Sequence, residues 1–135
     1  MKLRFYYVSG GIHPQRGQNY LGQEDATGGP DAERYHLYMA ASMSAIAQTA
    51  ADCDRLLSTI DDVENGKRAE VKDGGNDVLL TFKQSGVQVD ILVNDDWTGQ
   101  PEGHFTLQQW KTVLQAWRRF LQLPRSFDSV VEIDV

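Results

Sequence analysis

FTLQQWKTVLQAWRRFLQLP, residues 105–124, contains a complete helix with both ends marked. Thr106 followed three residues later by Gln109 is a capping box, in which each side chain satisfies a backbone N–H left orphaned in the first turn. Leu107, Trp110, Leu114, Trp117 and Leu121, joined by Val113 and Phe120, recur at spacings of three and four, so they share one face of a 3.6-residue period. Burial of that face against a core is the expectation. Lys111, Gln115, Arg118, Arg119 and Gln122 take the other side, and the cations near the C-terminal end oppose the negative pole of the helix dipole. Pro124 forbids continuation.

Upstream of this helix, Arg68 to Lys72, Asp77 to Lys83 and Val87 to Val93 are strand-like runs separated by Gly74-Gly75-Asn76 and Gln84-Ser85-Gly86. Turns this short predict an antiparallel meander. Asn94 to Gly103, NDDWTGQPEG, reads as a loop leading into the capped helix. Ile46, Ala50, Cys53, Leu57 and Ile60 recur at helical spacing, with Ser42 or Ser44 placed as the cap and Asn65-Gly66 as the terminator. At the N-terminus, Lys2 to Val8 reads as a strand ended by Ser9-Gly10-Gly11. Ser9 to Asp31 is polar and rich in Gly and Pro, which predicts a long surface loop; loops of this length usually serve a purpose. Arg34 to Ala41 alternates Tyr35, Leu37, Met39 and Ala41 as a strand does, while its Ala and Met content suits a helix equally. Ser129 to Val135 alternates and reads as a closing strand. The expected order is strand, strand or helix, helix, three strands, helix, strand. That is an α+β domain, a mostly antiparallel sheet of about five strands with two main helices packed on it.

The chain has 135 residues, enough for one domain with a hydrophobic core and too few for two ordinary ones. No apolar run approaches the roughly 20 residues that span a bilayer. The start, MKLRFYYVSGG, alternates apolar and charged residues without an h-region or cleavage site, so it reads as strand rather than signal peptide. A single cysteine, Cys53, makes no internal disulfide, which fits a reducing compartment and a cytoplasmic location. The formal charge is −6, with five basic and six acidic residues in 1–60 against eight and thirteen in 61–135. Such a field repels phosphate backbones, and no Lys/Arg stripe with interleaved aromatics accompanies it, so direct nucleic-acid binding is not expected. A basic protein partner is the natural complement; simple solubility is the plainer explanation of the charge.

Groups for catalysis or metal binding are sparse. His13, His36 and His104 show no metal-ligand spacing. Asp95, Asp96, Glu102 and His104 are the nearest approach to an acid–base or cation site, and a solvated loop explains them as well. Cys53 lies on an apolar helical face and reads as core. The Gly pairs lack the context of a phosphate cradle and read as turns. The expectation is therefore no catalytic residue, no metal and no cofactor. Trp97 has no periodic reason to be buried; it either anchors a partner or folds back onto the domain edge.

The second half, GGNDVLLTFKQSGVQVDILVNDD followed by FTLQQWKTVLQAWRRFLQLP and a short acidic strand, resembles the bacterial immunity proteins of contact-dependent growth inhibition and related toxin–antitoxin systems. The shared pattern is the GGN turn at Gly74 to Asn76, two hairpin strands, and a C-terminal helix of the W…L.AW..FL type ending in proline, over roughly half the chain. The resemblance implies that residues 1–135 form one immunity-protein-like domain. Such a domain binds a cognate cytoplasmic toxin domain, often a nuclease with a basic substrate cleft, and blocks its active site or substrate surface without catalysis. An acidic surface suits that role, because it can stand in for a substrate's phosphates. The candidate partner-binding residues are Asp95, Asp96, Trp97 and Glu102, then Asp61, Asp62 and Glu64, then Tyr20, Glu24 and Asp25. Two other readings stand beside it: a non-catalytic adaptor using the aromatic hairpin faces, and a small enzyme built on His104 and Asp95.

Overall fold

The computed structural model describes residues 1–135. Its strands are β1 (Lys2–His13), β2 (Gly17–Thr27), β3 (Glu70–Gly75), β4 (Val78–Lys83), β5 (Gly86–Ile91), β6 (His104–Phe105) and β7 (Val130–Asp134). Residues 32–46 form one helical segment, α1, whose middle stretch Tyr35–Ala40 is π-wound; α2 is Ala50–Glu64 and α3 is Leu107–Gln122. The fold is α+β, as expected, but its strands form two antiparallel sheets rather than one of about five strands. One sheet has the order β2-β1-β7, the other the meander order β3-β4-β5-β6.

The meander follows directly from its turn. Asn76 and Asp77 both have positive φ (48° and 65°), the geometry of a two-residue hairpin whose twist matches that of its strands. Val78, Leu80 and Phe82 then face Ile91, Val89 and Val87 on one buried side. The C-terminal helix also forms as its sequence dictates. Thr106 Oγ1 accepts from the Gln109 N–H at 3.0 Å, the Gln109 side chain accepts from the Thr106 N–H at 2.8 Å, and Leu107, Trp110, Val113, Leu114, Trp117 and Phe120 are buried.

Two readings need correction, and one open alternative is decided. Residues 9–31 are not a long loop: β1 continues through Gly10 and Gly11 by an irregularity between Ser9 and Ile12, with Gly11 at φ +96°, then turns and returns as β2. Alternation fades there because the helices cover the sheet only as far as Leu3, Phe5 and Tyr7; both faces of the outer hairpin meet water. Of the two alternatives open for Arg34 to Ala41, strand or helix, the structure has the helix. Its buried residues are Tyr35, Tyr38, Met39, Ser42, Met43 and Ile46, a spacing of three and four that outweighs the accidental alternation. The second helix starts later than Ser42 or Ser44. Thr49 is the cap, in a reciprocal capping box with Asp52 (3.1 and 3.2 Å), and Ile46 belongs to the preceding helix. The expected terminator is present, Gly66 adopting φ +75° just beyond it.

One contiguous apolar core joins both sheets, because α3 touches β1, β5 and β7 as well as α2. Phe5, Tyr7, Trp117 and Phe120 cluster within it, Phe5 meeting Trp117 edge-on with ring centroids 5.1 Å apart and Tyr7 lying tilted over Phe120 at 4.6 Å. The Trp117 indole N–H donates at 2.6 Å to the carbonyl of Ala47, a buried orphan acceptor at the end of α1. The equally buried indole N–H of Trp110 has no partner. Cys53 is fully buried, and that burial pushes its thiol up to about 11, so it acts as core. Replacing Trp117→Phe strands the Ala47 carbonyl and thins the aromatic cluster. The expected loss is about 1–3 kcal/mol, read as a lower urea midpoint with an unchanged m-value.

Candidate functional site

Two short 3-10 turns, Asp95–Trp97 and Pro101–Gly103, carry the acidic segment between β5 and β6. Asn94 caps the first, its Oδ1 accepting from the Asp96 N–H at 3.0 Å, and the Asp90 carboxylate accepts from the Gly99 N–H at 2.7 Å. Gly103 lets the second turn lie flat. A Cβ there would stand 2.6 Å from the Val89 carbonyl and 3.2 Å from Cε1 of Tyr38, too close for any side chain.

The segment faces the start of α1 across an open cleft of about 350 Å³, lined by Pro30, Glu33, Arg34, Leu37, Tyr38, Asp96, Trp97, Gln100 and Glu102. Arg34 bridges its walls. Its Nε–H donates to Asp31 at 2.9 Å, its Nη1–H to the carbonyls of Glu102 (3.1 Å) and His104 (2.9 Å), and its guanidinium lies 4.3 Å over the Phe105 ring. This cation is therefore already engaged. Glu33, Asp96 and Glu102 are exposed, and none of the three enters an ion pair within the chain, so the cleft holds three unmatched carboxylates. Trp97 is partly buried, one side against the core and the other in the cleft. Tyr38 is 3% exposed; burial first, then the negative charges of Glu102 and Asp90, raise its phenol above the ordinary 10 and keep it neutral.

Of the residues singled out from the sequence, Asp96, Trp97 and Glu102 thus converge on one cleft, with Asp95 exposed on the adjoining turn. Asp61, Asp62 and Glu64 do not join it. They sit at the end of α2, where Asp61 and Glu64 flank Lys111 (3.7 and 3.5 Å) and Asp62 pairs with Arg68 (3.0 Å). Tyr20 and Asp25 lie on β2; Tyr20 packs edge-on against Phe127 with centroids 4.9 Å apart, and Asp25 accepts from the Tyr6 hydroxyl at 2.8 Å. Glu24 requires correction as a partner contact, since it is 8% exposed and points inward from β2 against α1. Glu33, Arg34 and Tyr38 were not singled out. Their signal was present in the spacing of 34, 37 and 38, which places Arg34, Leu37 and Tyr38 on one helical face once the segment is read as helix.

His104 belongs elsewhere. Its side chain lines a separate cavity with Thr81, Lys83, Ser85, Gly86 and Gln88, from which Asp95 is absent. No group of three or more His, Cys, Asp or Glu side chains is placed to hold a metal ion. No helix is long and apolar enough to cross a membrane. No family model, curated protein or solved structure matches the chain.

Glu24 makes stability depend on pH. Burial pushes its carboxyl up to about 7, against a hydrogen bond at 3.2 Å from the Ser44 hydroxyl that favours the ionised form; Tyr35, His36 and Asp25 line the same small cavity. The folded state holds the proton to a higher pH than the unfolded chain, whose carboxyl ionises near its usual 4.5. Stability therefore falls as pH rises from about 4.5 to 7, by up to about 3 kcal/mol from this group. Urea unfolding of Glu24→Gln across that range should show this part of the slope abolished; an unchanged slope would assign the dependence to other groups.

Proposed function

We propose that this protein is a cytoplasmic inhibitor of a basic protein toxin, an immunity protein of contact-dependent growth inhibition or a related system. It covers the active site or substrate surface of its cognate toxin domain, a nuclease being the best fit, and catalyses nothing itself. One observation carries the reading: the cleft between α1 and the 95–103 segment gathers three unpaired carboxylates, one from the helix and two from the segment, beside a partly exposed Trp. Elsewhere the acidic groups at 61–64 have basic neighbours of their own. A surface of this sign repels nucleic acid and attracts the positive groove that binds it, which gives fast association and strong dependence on salt. A central aromatic with a polar surround also has the composition of a binding hot spot.

A non-catalytic adaptor is the second reading, and a different surface favours it. The outer face of the first sheet is uncovered, and there Leu21 beside Val8, and Val130 beside Tyr6, leave apolar side chains in water (56% exposed for Leu21, 38% for Val130).

Co-expression with the toxin domain encoded immediately upstream separates the two, scored by growth rescue and co-purification. Rescue with a stable complex is the expected outcome for an immunity protein; unaffected toxicity would put the adaptor first. Asp95→Lys with Asp96→Lys, and Glu102→Lys separately, should weaken that complex by about tenfold or more at low salt while leaving the thermal midpoint in place. Unaltered affinity would remove the cleft as the contact surface.

A further inference from the structure

The polar inventory of the cleft specifies more than a sign of charge. Tyr38 is 3% exposed and lines the cleft, yet none of the chain's hydrogen bonds uses its hydroxyl. The only buried side-chain polar atom left without a partner is Trp110 Nε1, so the Tyr38 ring is buried while its hydroxyl still reaches solvent, with its donor and acceptor free for a ligand. Around it, every unpaired polar group of charge is an acceptor: the carboxylates of Glu33, Asp96 and Glu102. The one donor-rich side chain, Arg34, is spent on Asp31 and on the carbonyls of Glu102 and His104. The Trp97 indole supplies a flat, partly exposed aromatic surface on the wall.

We infer that the cleft is an arginine-binding site, taking the guanidinium of one exposed arginine from the partner protein. Guanidinium carries five N–H donors and no acceptor, so it matches a cleft whose three free carboxylates outnumber its free donor groups, the Gln100 amide and the Trp97 indole N–H; its plane suits stacking on the indole, and its edge suits donation to carboxylates and a hydroxyl. A lysine ammonium is a poorer match. It is a compact, strongly hydrated point charge with three donors, which neither stacks on Trp97 nor reaches acceptors on opposite walls. The geometry of this chain even supplies an internal precedent, since Arg34 lies over the Phe105 ring while its donors are shared between a carboxylate and backbone carbonyls. This deepens the reading of the cleft as the partner-binding surface and rests on that reading for the partner, while the chemistry of the pocket stands on its own residues.

The test uses the full chain and a blocked amino acid, so it needs no toxin. N-acetyl-argininamide is titrated into the isotope-labelled protein, with N-acetyl-lysinamide as the comparison, and amide and indole shifts are followed. Saturable shifts are expected at the Trp97 indole N–H and in residues 33–38 and 96–103, with the lysine probe binding at least about fivefold more weakly. Asp96→Asn with Glu102→Gln, both at exposed positions, should weaken the arginine probe by about fivefold or more without altering the rest of the spectrum. Tyr38→Phe should weaken it by a smaller factor, with the carboxylate variants deciding the matter if that core substitution fails to fold. Equal binding of the two probes, or shifts spread away from the cleft, would overturn the proposal. Arginine-selective binding without toxin neutralisation would support the site and sink the immunity reading, while neutralisation that survives loss of arginine binding would keep the immunity reading and overturn the cleft as the seat of the partner's arginine.

Discussion

The arrangement depends on α3 being apolar enough to serve two sheets at once. Its buried stripe supplies Trp117 and Phe120 to the Phe5 and Tyr7 side and Trp110, Val113 and Leu114 to the rest of the core. Neither sheet packs alone: three strands and a four-stranded meander each present a single apolar face. The indole of Trp117 adds a directional element to this otherwise non-directional burial, since its N–H holds the last carbonyl of α1. Through that bond the last helix also places the helix that forms one wall of the acidic cleft.

The cleft is in turn a product of one internal cation. Arg34 emerges near the beginning of α1 and reaches residues about seventy positions away, accepting geometry from both sides: a carboxylate on its own element, backbone carbonyls on the other, an aromatic ring beneath. Because its hydrogen bonds on the far wall go to carbonyls, the carboxylate of Glu102 is left free for other use. A direct Arg34–Glu102 pair would have held the walls together equally well and cancelled the charge that distinguishes the site.

How much of this was legible in the sequence follows from where each signal resides. The C-terminal helix and the meander are encoded locally: Thr106 with Gln109, and Asn76-Asp77, specify their own backbone within four residues, and the apolar stripes follow. Asp96, Trp97 and Glu102 were visible because acidic and aromatic residues between two confident elements stand out. The hairpin of β1 and β2 was not, since alternation reports burial on one face and the outer hairpin has none. In α1, Tyr35, Leu37 and Met39 alternate by accident, and the wider π winding further blurs the helical period. Glu33, Arg34 and Tyr38 could not be assigned to the cleft before that segment was known to be helical, because only the tertiary fold brings residues 33–38 opposite residues 96–102.

The long first hairpin has a consequence for motion. Leu3, Phe5 and Tyr7 anchor its base, whereas residues 9–17 are exposed throughout and are held by the strand ladder and a few polar contacts, among them the His13 Nδ1 that accepts from the N–H groups of Gln15 and Arg16. Opening free energy must therefore decline along the ladder from base to tip, without a boundary between folded and unfolded parts. Amide hydrogens near Phe5 exchange only with the disruption of the shared core, while those near Ile12 exchange through local fraying. Fraying of the tip costs little by this reasoning, and it breaks none of the contacts by which Arg34 pins the cleft.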